Sequence, residues 1–120
     1  MAVALVTGAG RPGGIAAGIA ARLNDEGWDV ATSDVDGADY PCDLSSPSGP
    51  RELVGTVRRD RGPIEALVLS HAHDVESGVL DTNAESFDAH MAVNARATLL
   101  MIAEFARQVP SHGGAFSARY

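Results

Sequence analysis

Residues 8–14, Gly8-Ala9-Gly10-Arg11-Pro12-Gly13-Gly14, hold four glycines in seven positions. They follow the apolar run Val3-Ala4-Leu5-Val6 and precede Ile15, Ile19 and Leu23, which recur at helical spacing. Strand, glycine turn and helix in that order suit the binding of a pyrophosphate. The first N–H groups of a helix lack partners inside it and carry about half a positive charge, so they favour an anion. Glycines let the chain turn sharply and let phosphate oxygens approach the backbone. The alternative is a glycine-rich turn with no ligand. A Walker-type phosphate loop is excluded: Gly8 and Gly13 have its spacing, but Gly14 stands where its lysine belongs, and the chain has no lysine at all.

A second group with binding chemistry is Asp34, at the end of the run Trp28-Asp29-Val30-Ala31-Thr32-Ser33-Asp34 and 20 residues beyond Gly14. A dinucleotide-binding fold places an acid there to accept hydrogen bonds from the adenosine ribose. A 2′-phosphate beside that carboxylate meets repulsion on the order of 4 kcal/mol at ~4 Å and an effective dielectric near 20. Asp34 therefore favours NAD over NADP. Arg11 pulls the other way, because a guanidinium in the glycine loop can pair with a 2′-phosphate. The balance favours NAD; a capping Asp34 and a solvated Arg11 are the plainer alternatives. His71-Ala72-His73-Asp74 has the look of a metal motif, but the metallo-hydrolase version carries its aspartate two residues after the second histidine, with another histidine beside it. Neither feature is present, and His90 and His112 are distant. No metal is expected; the histidines line a cofactor wall or lie on the surface.

The elements that must position these groups follow from periodicity. Met1–Thr7 is continuous and apolar, as in a strand buried on both faces. Gly13 to about Glu26 reads as a helix with Gly27 just past its end. Strands follow at 28–34 and near Tyr40-Pro41-Cys42; only five residues separate them, so a parallel crossover there has no helix, and Pro41 suits an edge strand. Ser45–Pro50 is a loop. Arg51–Arg61 is a helix, ended by Gly62-Pro63, and Ile64–Ser70 is a strand apolar enough to be central. A long helix starts near Asn83 or Ala84, capped by Thr82 or Asn83, with Phe87, Met91, Leu99, Ile102 and Phe105 as its apolar stripe. Gly113-Gly114 introduces a further segment.

At 120 residues the chain suits one small α/β domain. Apolar content of 45% and a net charge of −7 indicate a soluble globular chain and argue against a nucleic-acid partner. No apolar run approaches the roughly 20 residues of a membrane span. No basic region precedes the first strand, so no signal peptide is expected. The single Cys42 excludes an internal disulfide, fits a reducing compartment, and with the preceding points implies a cytoplasmic location. Its simplest role is a small buried apolar residue.

Thr7-Gly8, Arg11 and Gly14-Ile15-Ala16 resemble the Thr-Gly-x-x-x-Gly-x-Gly loop of the short-chain dehydrogenase/reductase family, with Pro12 and Gly13 inserted and Ala16 in place of the last glycine. Four further features fall in register with it: Asp34, the pair Asp43-Leu44, the post-strand loop Ser70-His71-Ala72 and Asn94 in the long helix. The resemblance covers about the first 114 residues and is closest in kind to 3-oxoacyl-carrier-protein reductases. It implies a Rossmann-like parallel sheet with flanking helices, incomplete at about four strands in the order 3-2-1-4. It implies cofactor contacts from Gly8, Arg11, Gly14 and Ile15, adenine contacts from Asp43 and Leu44, and a cofactor wall from Ser70, His71 and Ala72, where His71 is bulkier than the usual alanine. Asn94 takes by resemblance the place of an asparagine that holds a water in the proton relay. A mid-helix asparagine that faces solvent or a neighbouring backbone, and an Asp43 that only starts a loop, are the alternatives. The helix around Phe87–Phe105 often forms half of a subunit interface in the family, so a homo-oligomer is one expectation; the same stripe suits the core.

The family's chemistry needs a serine, a tyrosine and a lysine four residues beyond the tyrosine. A phenol near pKa 10 needs that cation to ionise readily at neutral pH. Tyr40 is followed four residues on by Leu44, Ser117 stands only three before Tyr120, and lysine is absent. No catalytic residue is assigned. The expectation is a single nicotinamide-dinucleotide-binding domain over 1–120, truncated before the catalytic segment of an oxidoreductase and inactive alone. A non-catalytic nucleotide-binding module or an inactive remnant is the alternative, and no substrate is indicated.

Overall fold

A computed structural model describes residues 1–108. Four parallel strands, β1 (Val3–Thr7), β2 (Asp29–Asp34), β3 (Tyr40–Pro41) and β4 (Ile64–Leu69), form one sheet in the order β3-β2-β1-β4. α1 (Ile15–Asp25) covers one face. α2 (Gly49–Arg61) and α4 (Ala97–Arg107) cover the other, and α3 (Ala84–Met91) leads into α4 through a π-helical turn, Ala92–Arg96. This is the Rossmann-like arrangement, with the strand order expected from the sequence.

β1 is buried along its whole length, and its alternation divides the core. Val3 and Leu5 point toward α2 and α4, where they meet Leu53, Val54, Val57, Ala97 and Met101. Val6 points the other way, onto Ala16 and Ala20 of α1. A two-residue period on one strand thus serves two helix layers. Past Asp25, α1 closes with Gly27 N–H on the Asn24 carbonyl and Trp28 N–H on the Leu23 carbonyl, the paired bonds of a Schellman stop at the expected glycine. α2 starts two residues earlier than expected, because a proline in the first turn of a helix forfeits no hydrogen bond. β4 pairs only with β1, so among the described residues it is the edge that the expected order implies, although its sequence is apolar enough for a central strand; most of it is half-buried. No helix is long and apolar enough to cross a membrane among those residues.

The expected long helix is divided, and its expected stripe is not the buried one. Phe87, Met91 and Leu99 are exposed, at 57%, 48% and 67%, so they do not build the core. The buried line runs Ala92, Ala97, Met101, with Phe105 packed against the core beyond it. Its first step is five residues and the next two are four. The π turn inserts one residue, which shifts the helical phase by about 100° between α3 and α4. Two alanines on that line are too small to mark it as apolar against the larger Phe87 and Leu99. Segment 109–120, with Gly113-Gly114, Ser117 and Tyr120, lies outside the described residues.

Candidate functional site

A cleft of about 410 Å³ lies at the C-terminal ends of the strands, where the order reverses around β1. Ligands of open α/β sheets bind at such switch points. Gly8 and Arg11 come from the loop after β1, Asp34 and Val35 from the end of β2, Cys42 to Ser45 from the loop after β3, and Ser70 to His73 from the loop after β4. Ala89 of α3 and Val93 of the π turn close the side.

Close backbone packing builds the mouth. A Cβ on Gly8 would stand 2.4 Å from the Ser70 carbonyl oxygen, at a φ of +73°, so the glycine loop and the Ser70-His71 peptide touch. A Cβ on Gly10 would stand 1.9 Å from the Asp36 carbonyl oxygen. Gly10 N–H instead donates to Asp34 Oδ2 at 2.9 Å, and Val35 N–H donates to Oδ1 at 2.7 Å. Asp34 thus anchors the glycine loop to β2 while facing the cleft. Arg11 is exposed beside it and makes no ion pair among the described residues. α1 follows its N-cap Gly14 with no side-chain cap and no acid in its first turn, which leaves its positive end open to an anion.

Eight of the ten expected cofactor residues line the cleft: Gly8, Arg11, Asp34, Asp43, Leu44, Ser70, His71 and Ala72. Gly14 and Ile15 do not. Gly14 N–H closes a turn onto the Arg11 carbonyl at 3.1 Å, and the Ile15 side chain is exposed. Asp43 also starts the following loop: Ser45 donates to its Oδ1 from both N–H and hydroxyl, and these bonds hold the carboxyl below the usual carboxylate range. Leu44 is buried in the core. Cys42 is half-buried, packed against the core on one side and in the cleft wall on the other; burial pushes its thiol up, with Asp43 and Glu52 acting in the same direction.

The sequence reading missed how the loop after β4 is held. Segment 71–75 runs along the helix with three rungs. His71 Nε2 meets Thr98 Oγ1 at 3.1 Å. The Asn94 amide brackets the His73 peptide unit, accepting from its N–H at 2.8 Å and donating to its carbonyl at 2.9 Å. Val75 N–H donates to His90 Nε2 at 3.1 Å, and His90 Nδ1 donates to the Ser86 carbonyl. Every second loop residue meets every fourth helix residue. Arg96 adds a bond from Nη2 to the Ser45 carbonyl at 2.7 Å, which ties the third wall to the same helix. Asn94 therefore takes the neighbouring-backbone role, with both ends of its amide occupied. The signal was present as polar residues at 90, 94 and 98, but it acquires meaning only once the loop lies beside them. Among the described residues, no group of three or more metal-ligating side chains is placed to hold an ion.

His71 also reaches across the sheet. Its Nδ1 lies 2.7 Å from Thr7 Oγ1 at the end of β1, and that oxygen accepts from Ser70 N–H at 3.2 Å. Burial holds the imidazole below its usual range, against the opposing pull of the Val93 backbone and of Asp34.

The family model described as enoyl-(acyl carrier protein) reductase matches residues 8–118. A short-chain dehydrogenase/reductase of Armillaria gallica is 29% identical over 92% of this chain and 49% of its own. A short-chain dehydrogenase of Burkholderia cenocepacia, solved in complex with NADP, superposes with a TM-score of 0.80 at 29% identity over 87% of this chain and 49% of that one. A metagenomic short-chain oxidoreductase, also solved with NADP, gives 0.81 at 28% identity over 89% and 56%. The chain spans about half the length of these relatives. The order of strands, the glycine loop against β4 and the match over 8–118 agree: the chain belongs to the short-chain dehydrogenase/reductase family.

Proposed function

We propose that the cleft binds a nicotinamide dinucleotide, with the pyrophosphate at the glycine loop and the uncapped start of α1, the adenosine toward Asp34 and Asp43-Leu44, and the nicotinamide half toward Ser70-His71-Ala72. The observation that carries this reading is the cleft itself. It is open, lies at the switch point, and is lined by Gly8 and Arg11 of the loop that leads into α1, a helix start that no side chain caps and no acid opposes. Between the two cofactors, Asp34 favours NAD, as expected from the sequence. Arg11 favours NADP: it has no ion-pair partner among the described residues and shares a corner with Asp34, Asp36 and Gly37. The solved relatives were both complexed with NADP. Each Asp34 oxygen already accepts a backbone N–H, which offsets part of its charge. We therefore place NADP(H) ahead of NAD(H), a reversal of the preference read from Asp34 alone.

The reaction in this reading is hydride transfer between the nicotinamide and a carbonyl or alcohol. Its tyrosine–lysine pair is not among these 120 residues, which contain no lysine. The chain by itself then binds cofactor without turnover, as a non-catalytic module does. Asn94 serves the proton relay only through its hold on the His73 backbone. A cytoplasmic setting and pairing of two copies through the exposed Phe87, Met91 and Leu99 belong to the same proposal. Fluorescence titration with NADPH and NADH tests it: saturable binding, tighter for NADPH, is expected, and no binding of either overturns it.

A further inference from the structure

The loop after β4 carries a half-buried imidazole in the wall of the cleft, and both of its nitrogens meet hydroxyl groups from other elements. Nδ1 meets Thr7 Oγ1 at the end of β1, and Nε2 meets Thr98 Oγ1 on α4. Hydroxyls donate or accept, so either neutral tautomer satisfies both contacts; the Val93 backbone is a further hydrogen-bond partner of the ring, and the Thr7 hydroxyl also reaches the Val68 carbonyl at 3.4 Å. The Thr7 oxygen that meets Nδ1 also holds Ser70 N–H. The Ser70-His71 peptide in turn abuts Gly8, with the Ser70 carbonyl and the His71 nitrogen both inside the space a Cβ on Gly8 would need. The chain of contacts thus runs from helix to imidazole, to the Thr7 hydroxyl, to the Ser70 peptide and to the glycine loop. Arg11, Asp34, Asp43 and His73 line the same cleft, but none is hydrogen-bonded to the His71 ring.

We propose that His71 is a positioning residue: its Nδ1 contact with Thr7 sets the gap between the glycine loop and the Ser70–Ala72 loop that a nicotinamide dinucleotide must enter, and its Nε2 contact with Thr98 only steadies the ring against the helix. The inference rests on the reading of the cleft as a dinucleotide site, but the link to Thr7 has a readout of its own. Asparagine at 71 puts an amide near the place of Nδ1 and keeps the link to Thr7. Glutamine reaches the place of Nε2 and keeps only Thr98. Neither ionises.

The test uses the full chain as wild type, His71→Ala, His71→Asn and His71→Gln. NADPH affinity is read by fluorescence, and exchange of the Ser70 amide by NMR. His71→Ala and His71→Gln are expected to bind NADPH about tenfold more weakly, equivalent to one or two net hydrogen bonds. Ser70 exchange should quicken in both. His71→Asn is expected to restore both quantities to within about twofold of wild type, well inside the effect of one hydrogen bond. Should His71→Ala fail to fold, the contrast between asparagine and glutamine decides alone. The inference is overturned if asparagine and glutamine behave alike, or if Ser70 exchange in His71→Gln matches wild type. A wild-type chain that binds neither NADPH nor NADH overturns the dinucleotide reading instead, and the Ser70 arm still decides whether the link from His71 to Thr7 exists.

Discussion

The two flanks of β2 treat their charges in opposite ways. Along its outer side, where the short β3 leaves most of the strand edge uncovered, Arg61 closes the corner. Its Nη1 donates to Asp29 Oδ1 at 2.7 Å and to the Val30 carbonyl at 3.0 Å, its Nε donates to the Tyr40 hydroxyl at 3.1 Å, and its Nη2 lies 3.5 Å from Asp39 Oδ2. The guanidinium also sits 5.4 Å from the Tyr40 ring centroid, and the Asp39 carboxylate accepts from Thr32 N–H. These bonds hold the Arg61 guanidinium still more firmly protonated than usual, the Tyr40 contact contributing most. Side chains here satisfy strand-edge groups that would otherwise invite another chain. At the end of the same strand, Asp34 shares a corner with Arg11, which makes no salt bridge among the described residues, and the glycine loop there leads into a helix without a side-chain cap. Charge answered from within the fold marks a structural corner; charge left open around a cleft marks a place for a ligand.

Substitutions at each end test that contrast. Gly8→Ala has the largest expected effect. It forces a Cβ into the Ser70 carbonyl at a left-handed φ, so a loss of about 3 kcal/mol in urea unfolding is expected, together with loss of NADPH binding. Arg61→Leu removes the structural corner and strands Asp29. It should cost about 2 kcal/mol by the same measurement while leaving NADPH affinity unchanged; a large fall in affinity would break the comparison. Arg11→Ala should do the reverse. Stability should stay within about 0.5 kcal/mol, NADPH should bind about tenfold more weakly, and NADH should change less.

The smallest effect is on pH. Burial lowers the His71 pKa in the fold, so on acidification the unfolded chain takes this proton first, starting near the ordinary histidine value of about 6.5. The stability tied to neutral His71 is complete above that value. It falls as the pH drops toward the folded-state pKa, then levels off below it. Val93 and Asp34 oppose the shift and narrow the window. Melting temperatures of wild type and His71→Asn between pH 8 and 5 should therefore diverge. An equal decline in both would remove His71 from the account.

How much could be read in advance depended on the range of the interaction. β1, α1 and its Schellman stop, Asp34 at the end of β2 and the helix-ending Gly62-Pro63 are local patterns, and they stand where the sequence put them. The cleft residues in loops after strands were legible too, because a parallel sheet sends all such loops to one end. The helix over 84–107 misled. A stripe judged by side-chain size selects Phe87 and Leu99, whereas the π turn rotates Ala92, Ala97 and Met101 onto the sheet.

By itself the sequence determined the alternation of strands and helices, the glycine turn before α1, the acid that ends β2 and the absence of lysine, since each depends on residues a few positions apart or on composition. Only the tertiary structure decided which polar residues meet. His71 and Thr98 are 27 positions apart, and Thr7 and His71 are 64. Such pairs are made by the parallel crossover and the phase of a π turn, and neither leaves a period in the sequence for a reader to find.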